Sequence, residues 1–323
     1  MSTRTDLIEV RVTRKTMEAL GIASFELARV DRSSLPAFEP GAHIDVHTPG
    51  GIARQYSLCN SPDETHRYLI AVLRDPQSRG GSAALVDKLS EGDMVQISAP
   101  RNHFQLAAGS SHTLLIGGGI GITPLLAMAE SLSREGRPFE LHYCTRSPAH
   151  TAFHAALKEG NFSDRVEFHF DDGAAEQRLD ITKKLSSCDA NTHLYVCGPK
   201  GFMDAVLGAA RSEGWADERV HFEYFAADVM RKADDGAFEV EIASTGDVYV
   251  VPADKSICDV LIAHGIDIPM SCEEGVCGTC ATGVIAGLPD HRDMYLTRTE
   301  QAKNDQMMLC CSRAKSARLV LEL

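Results

Sequence analysis

Apolar residues in the first hundred positions fall on alternate sites. SFELARV, HIDVHT, RYLIAVLRD and DMVQIS each show this period of two, and turn signals such as Glu39-Pro40-Gly41 and Glu91-Gly92-Asp93 separate them. Short half-buried strands at this spacing predict a small antiparallel β-barrel over residues 1–106. Over 107–227 the rhythm changes. HTLLIGG leads into PLLAMAESLSREG, FELHYCTR into TAFHAALKEG, and HLYVCG into PKGFMDAVLGAARSEG. Strand and helix in alternation predict an α/β domain with a parallel sheet. The polar stretch DVMRKADDG, residues 228–236, reads as a linker. Over 237–323 strands return (FEVEIAS, DVYVVPA and a final RLVLEL) around one helix, SICDVLIAHGI, which predicts an α+β module.

Composition narrows the function classes. With 323 residues and 44% hydrophobic content the chain can build more than one core. No apolar run approaches the roughly 20 residues of a membrane helix, and the start, MSTRTDLIEV, has no apolar signal region, so a cytoplasmic protein without a membrane span is expected. A net charge of −13 argues against nucleic acid as a partner. From Ala227 onward 16 acidic residues face 9 basic ones, so −7 of that charge lies in the last segment and points to a module with an acidic face. Ten cysteines are too dilute for a disulfide scaffold; where they cluster, metal or redox chemistry is expected.

They cluster at CEEGVCGTC. Cys272, Cys277 and Cys280 give C-x4-C-x2-C, with Cys310 and Cys311 further on. Three thiolates and one distant partner match the plant-type spacing of a 2Fe–2S cluster, whereas structural zinc usually pairs its cysteines two and two. Gly275 and Gly278 allow the tight loop that four converging thiolates need. Adjacent side chains of an extended segment face opposite ways, so one of Cys310 and Cys311 can reach the cluster, and spacing leaves both open.

Two strand-to-helix junctions carry glycine. In LLIGGGIGITPLLAM, Gly117, Gly118, Gly119 and Gly121 precede a helix that Thr123 can cap, with Pro124 suited to its first position. The pattern is not G-x-G-x-x-G, but a helix N-terminus behind glycines suits a pyrophosphate. YVCGPKGFMDAV repeats the design at Cys197-Gly198-Pro199, and two such loops together predict a dinucleotide cleft. In the barrel segment, RQYSLCN offers Arg54, Tyr56 and Ser57 on one extended stretch, and SRGGS (78–82) makes a glycine turn. Arginine, hydroxyl and free N–H groups suit a phosphate. Asp171 and Asp172 follow the strand VEFHF, where an acid can bind a ribose hydroxyl and repel a 2′-phosphate; Arg146 in CTRSP is the contrary sign.

Taken in order, RQYSLCN, AVLRD, RGGS, GGGIGITP, VCGPKGFMD, HFEYF, CEEGVCGTC and LCCSRAK resemble the family of phthalate dioxygenase reductases and vanillate O-demethylase reductases, single-chain reductases of Rieske-type oxygenases. The resemblance runs essentially end to end. It implies a flavin barrel, a pyridine nucleotide domain and a plant-type ferredoxin of β-grasp fold. It also implies FMN held by Arg54, Gln55, Tyr56 and Ser57, with Ala71, Val72 and Leu73 giving backbone contacts to the ring edge. Gly80, Gly81 and Ser82 would meet its phosphate, Thr123 the flavin side of the cleft, and Phe225 would form an aromatic shelf. NADH would lie along Gly118, Gly119, Ile120, Gly121 and Thr123, with Cys197, Gly198 and Pro199 near the nicotinamide. The family's x-Ser-Arg motif selects Cys310 as the fourth cluster ligand. Leu73 stands where phthalate dioxygenase reductase has lysine, so no side-chain contact carries over there. HFDDGAAEQRLD is closer to the vanillate-type branch.

Electron counting fits this implied set. NADH gives two electrons as a hydride, a 2Fe–2S cluster takes one at a time, and a flavin handles both. The expected function is a reductase that passes electrons from NADH through FMN and the cluster to an oxygenase component. The scheme needs no acid, base or nucleophile, so the 13 histidines, including His142, His221 and His291, read as structural or surface residues. Two alternatives are a reductase serving another haem or non-haem oxygenase, and a metal-binding interaction protein whose clefts are vestigial.

Overall fold

In the first hundred residues alternate apolar side chains bury one face of each strand. The computed structural model describes residues 7–48, 53–75, 80–225, 232, 235–270 and 272–323; Ser78, Arg79 and most of the expected linker lie outside them. Val10 and Val12 of β1 (Ile8–Ala19), Phe25 and Leu27 of β2 (Ile22–Ala28), and Ile44 and Val46 of β3 (His43–His47) share a core. Tyr56 of β4 (Ala53–Ser57) packs at its margin, and Ile70 and Val72 of β5 (Tyr68–Leu73) and Val95 and Ile97 of β6 (Met94–Ile97) complete it. The strands pair antiparallel in the order β4-β3-β6-β1-β2-β5. A bridge from Leu58 to Ile70, and the Cys59 N–H donating to the Leu69 carbonyl at 2.8 Å, join the two edges into a barrel. Helix α1 (Gly81–Lys88) follows the glycine turn and adds Leu85 and Val86 to the same core.

The next strands are β7 (His112–Gly118), β8 (Phe139–Thr145), β9 (Val166–Phe170), β10 (Thr192–Cys197) and β11 (Val220–Glu223). Helices α2 (Ile122–Arg134), α3 (His154–Glu159), α4 (Ile181–Ser186) and α5 (Lys200–Ser212) connect them. All pairings are parallel, in the order β11-β10-β7-β8-β9. The chain starts at β7, moves outward to β9, then crosses to β10. The switch point therefore lies between β7 and β10, where open α/β sheets bind ligands at the carboxyl ends of their strands. Helix α2 is buried on nearly every side. Leu125 and Leu126 share a core with Leu115 and Tyr143 of the sheet and with Ile22, Cys59 and Ala71 of the barrel. Barrel and sheet thus form one compact unit, Met1–Glu223, and the expected 106/107 boundary falls inside it, where Leu106 packs on that common core.

The second unit, Tyr224–Leu323, contains β12 (Phe238–Ile242), β13 (Val248–Val251), α6 (Ile257–Ala263), β14 (Ala281–Ala286), β15 (Pro289–Asp290), α7 (Arg298–Lys303), β16 (Gln306–Met308), β17 (Arg313–Ala314) and β18 (Arg318–Leu321). Its main sheet runs β13-β12-β18-β14-β16, with β12 and β18 parallel and the other pairs antiparallel. Val240, Ile242, Leu319 and Leu321 of the sheet bury Ile257, Val260 and Leu261 of α6. Ser256 and Asp259 form a capping box that fixes where α6 begins. This is the α+β pattern expected of the ferredoxin segment. Arg292 donates to the Asp235 carboxylate at 2.5 and 2.8 Å and holds it well below the usual carboxylate range, which anchors the start of the unit.

Candidate functional site

The two glycine junctions meet at the switch point. Beyond β7 the chain makes a 3₁₀ turn, Gly119–Gly121, that runs directly into α2. This corrects the expected cap. Gly121 takes the cap position, Thr123 lies inside the first turn, and its hydroxyl donates to the Ile120 carbonyl at 3.0 Å. The 3₁₀ turn starts the helix early, so Pro124 is its third residue, still within the turn whose N–H groups have no helical partner. Gly121 sits on the second loop: a Cβ there would lie 2.3 Å from the Cys197 carbonyl oxygen. Cβ atoms at Gly118 and Gly198 would strike the Phe202 ring at 2.7 and 2.8 Å. These three glycines let the loops pack together, whereas Gly119 has φ +53 and open space beside it.

Pro199 caps α5, and Cys197 ends β10 fully buried, in register with Gly117 on one side and Glu223 on the other. Glu223 escaped the sequence reading. Its Oε2 is buried without a hydrogen-bond partner among the described residues, and burial pushes its pKa up to about 8. Burial, with Glu223 adding to it, pushes the Cys197 thiol well above its ordinary value. The only sequence signal for this carboxyl was its place in HFEYF, and nothing there announces burial.

On the barrel side, strand β5 lies against the Gly119–Gly121 turn, which brings Ala71, Val72 and Leu73 to the edge of the crevice. Beyond Ile70 no described strand pairs with the outer edge of β5. Ala71 also donates its N–H to the buried Cys59 thiol, and Leu73 is exposed. Gln55 has a buried Nε2 with no partner among the described residues, an orphan donor that a bound ring edge would satisfy. Burial raises the Tyr56 phenol far above its usual value and keeps it neutral. Gly81 opens α1 directly against Arg54, where a Cβ would come within 2.8 Å of Arg54 Cγ. Ser82 accepts the Asp75 N–H at 3.2 Å, and the first turn of α1 has no side-chain cap. An arginine beside an uncapped eight-residue helix is a donor set that fits a phosphate, so these residues fit FMN. Asp171 and Asp172 are exposed just after β9, and their N–H groups donate to the Thr145 and Arg146 carbonyls at 3.0 Å each. Phe225 is exposed and belongs to the second unit.

In that unit Cys272, Cys277, Cys280 and Cys310 are buried thiols. Cys272 lies within hydrogen-bonding reach of Cys277 and Cys310, and Cys280 within reach of Cys310. The Cys277 and Cys310 contacts push the Cys272 thiol below its ordinary value, and hydrogen bonds from Cys258 and Cys310 do the same for Cys280. The Glu274 N–H donates to Cys272 Sγ at 3.3 Å and the Thr279 N–H to Cys277 Sγ at 3.5 Å, the kind of donor that tunes a cluster. Gly275 has φ +74, and a Cβ on it would meet Cys311 Sγ at 2.4 Å, so the loop closes only with glycine there. Cys311 touches Cys310 and also lies beside Gly275, 3.9 Å from the Met308 carbonyl. Cys258 of α6 is a further thiol beside the group; in sequence it reads as one more apolar position of a helix. Four convergent soft donors with N–H groups aimed at them fit a 2Fe–2S cluster.

Comparison with known proteins agrees with this chemistry. Residues 240–315 match the 2Fe-2S iron-sulfur cluster binding domain, and residues 97–220 match the N-terminal domain of the dimethylamine monooxygenase subunit DmmA-like family. The chain is 54% identical to a vanillate O-demethylase oxidoreductase of Pseudomonas sp. strain HR199, over 98% of this chain and 100% of that one. It is 41% identical to the phthalate dioxygenase reductase of Burkholderia cepacia, over 98% and 97%. A solved phthalate dioxygenase reductase, described as a modular structure for electron transfer from pyridine nucleotides to [2Fe-2S], superposes with a TM-score of 0.77 at 41% identity, covering 98% of each chain. With the crevice, the thiol group and these likenesses together, the chain belongs to the family of vanillate O-demethylase oxidoreductases and phthalate dioxygenase reductases, the electron-transfer reductases of oxygenase systems.

Proposed function

We propose that the chain is the cytoplasmic reductase component of a Rieske-type aromatic oxygenase or O-demethylase system, drawing electrons from NADH and delivering them through FMN and a 2Fe–2S cluster. No helix among the described residues is long and apolar enough to cross a membrane, which is compatible with that placement. The observation that carries the reading is the meeting of β5 with the Gly119–Gly121 turn at the switch point. A flavin edge laid on Ala71–Leu73 would there face a nucleotide laid on the two glycine junctions.

FMN, when bound, supplies the exchange between a two-electron donor and one-electron acceptors. The chain supplies position and exclusion of water. Arg54, with the α1 terminus at Gly80, Gly81 and Ser82, would fix the phosphate, while Gln55, Tyr56 and Ser57 hold the ring from β4. Gly118, Gly119, Ile120, Gly121 and Thr123 would seat the pyrophosphate, with Cys197, Gly198 and Pro199 walling the nicotinamide end. Asp171 would select the ribose hydroxyl. Cys272, Cys277, Cys280 and Cys310 would ligate the cluster. Residues 1–106, 107–227 and 237–323, joined by the 228–236 linker, would divide these tasks. Glu273 and Glu274, half-buried beside the thiols, would contribute to an acidic docking face.

The test uses the purified full chain. Heat-released flavin should co-elute with FMN, and an equal yield of FAD would overturn the flavin assignment. Under anaerobic conditions NADH should bleach flavin and cluster absorption in sequence. With a Rieske-type demethylase and its aromatic substrate, product formation should require this chain and weaken as salt rises. Reduction of flavin and cluster with no transfer to any Rieske oxygenase, but transfer to a haem oxygenase, would replace the partner.

A further inference from the structure

Strands β8 and β9 run parallel at the edge of the five-stranded sheet, with His142 in register with Glu167 and Cys144 with His169. Side chains two residues apart share a face, so Glu140 and His142 from β8 meet Glu167 and His169 from β9. Both histidines are buried, and their rings stack with centroids 5.3 Å apart. His142 Nδ1 lies 3.0 Å from His169 Nε2, and Glu167 Oε2 lies 3.5 Å from His142 Nδ1.

Counting protons exposes a conflict. The outer nitrogen of His142, Nε2, lies 3.3 Å from Glu140 Oε2, and the outer nitrogen of His169, Nδ1, lies 3.2 Å from the Gln177 carbonyl. Both partners are acceptors, so when the two rings are neutral each outer nitrogen carries the N–H. A neutral imidazole has only one. The two inner nitrogens therefore present lone pairs to each other at 3.0 Å, with a carboxylate beside them. Facing lone pairs repel, and a cation held by both removes the repulsion. A carboxylate or carbonyl accepting from the far nitrogen is also how metal-binding histidines are oriented.

We propose that His142 Nδ1, His169 Nε2 and Glu167 Oε2 form a site for one divalent transition metal ion of the zinc class, separate from the flavin, nucleotide and cluster residues. The three ligand atoms lie within 4.8 Å of one another. Zinc bonded at about 2.0–2.1 Å holds tetrahedral ligand atoms roughly 3.3 Å apart; the observed 3.0 and 3.5 Å bracket that spacing. Glu167 is 68% exposed, so it can close on the ion and leave a fourth position for water. Imidazole and carboxylate donors favour zinc, copper or nickel over magnesium or calcium. The ion would tie the edge strand β9 to β8 and brace the turn that carries Asp171.

The experiment uses holoprotein with measured iron and flavin content, equilibrated with zinc chloride and passed over a desalting column. One zinc per chain beyond the iron is expected. His169→Ala and His142→Ala should lower it below a tenth of an equivalent, and Glu140→Gln should weaken zinc affinity roughly 10–100-fold as an orienting partner. Because the histidines are buried, the exposed Glu167→Gln serves as the second variant: it should keep iron and flavin at wild-type levels and weaken zinc binding at least tenfold. Cobalt in place of zinc should give a visible d–d band that these variants lose. No zinc taken up by the wild type, as when the histidines share a proton instead, overturns the proposal; so does zinc retained at full affinity in the variants.

Discussion

Between Cys272 and Cys280 the donors offered to a bound group are side-chain thiols, while between Gly118 and Gly121 they would be backbone N–H groups, with Ile120 the one side chain larger than hydrogen. Both loops prepare a redox site, but they leave different traces. Thiols are chemically specific, and their spacing in the chain carries information about the ion they hold. A glycine junction is specific only through what surrounds it, because tight packing and close ligand approach demand the same residue. Gly118, Gly121 and Gly198 are accounted for by contacts with Phe202 and Cys197, which leaves Gly119 as the open one. A donor set is readable from residue types; a backbone cradle is readable only from its neighbours.

The largest effect should come from the thiol side. Cys310 reaches both Cys272 and Cys280, whereas Cys311 reaches Cys310 and lies over Gly275. Cys310→Ser is expected to lose most of the cluster iron and its visible absorption, with flavin content unchanged. Cys311→Ser should keep both. Iron content per flavin decides the matter, and loss confined to Cys311→Ser would reverse the ligand assignment.

Next comes the backbone side. A Cβ at Gly121 would press on the Cys197 carbonyl, a rigid backbone atom. Gly121→Ala should therefore destabilise the first unit by about 1–3 kcal/mol, the usual cost of overpacking. Gly119→Ala meets no atom but must hold φ +53, at a cost of roughly 1–2 kcal/mol. The variants should separate in NADH affinity: Gly121→Ala shifts one loop against the other, while Gly119→Ala leaves their packing intact. Equal KM changes for NADH in both would show that packing between the junctions does not shape the crevice.

The same contrast explains what could be read from the sequence. Alternation exposed β2, β3, β5 and β6, and the strand–helix rhythm exposed β7 to β10, because their apolar residues recur in short runs between turn signals, even where both faces are buried as in β7. Strand β1 stayed hidden because its pattern turns polar and half-buried beyond Val12. Helix α1 stayed hidden behind a glycine turn. Thr123 read as a cap because a 3₁₀ turn has no signature in residue types. Glu223 and Cys258 owe their settings to strand pairing and helix packing, which no local pattern records. The histidines of β8 and β9 read as structural one at a time; their conflict of lone pairs exists only once the strands are paired.

Glu223 gives a smaller, pH-dependent effect. Burial raises its pKa from 4.5 to about 8, so between those values the folded chain keeps a proton that the unfolded chain has lost. Stability from this group is full below about pH 4.5 and is lost as pH rises through 8. Glu223→Gln removes the titration. The variant and wild type should have equal thermal midpoints near pH 5, and the variant should become the more stable of the two by pH 9. A difference that does not change with pH would mean that the carboxyl is not held neutral in the crevice.

The smallest effect concerns the choice of nucleotide. Asp171 and Asp172 sit exposed at the end of β9, and the Asp172 N–H donates to the Arg146 carbonyl, so an acid that repels a 2′-phosphate and a cation that attracts one share the same two strand ends. Exposed charges interact weakly through water, and salt screens them further. At these strand ends two carboxylates, Asp171 and Asp172, stand against the single cation of Arg146, and the excess negative charge disfavours a 2′-phosphate. NADH should therefore have the higher kcat/KM. Asp171→Asn should narrow the preference by about fivefold, or ~1 kcal/mol, chiefly by improving NADPH. Arg146→Ala should widen it by a similar factor. Repeating the measurement at high salt should shrink both changes, because they are electrostatic. A preference that is unmoved by either substitution would place the discrimination in the glycine junctions, and the side-chain reading of this end of the crevice would fall.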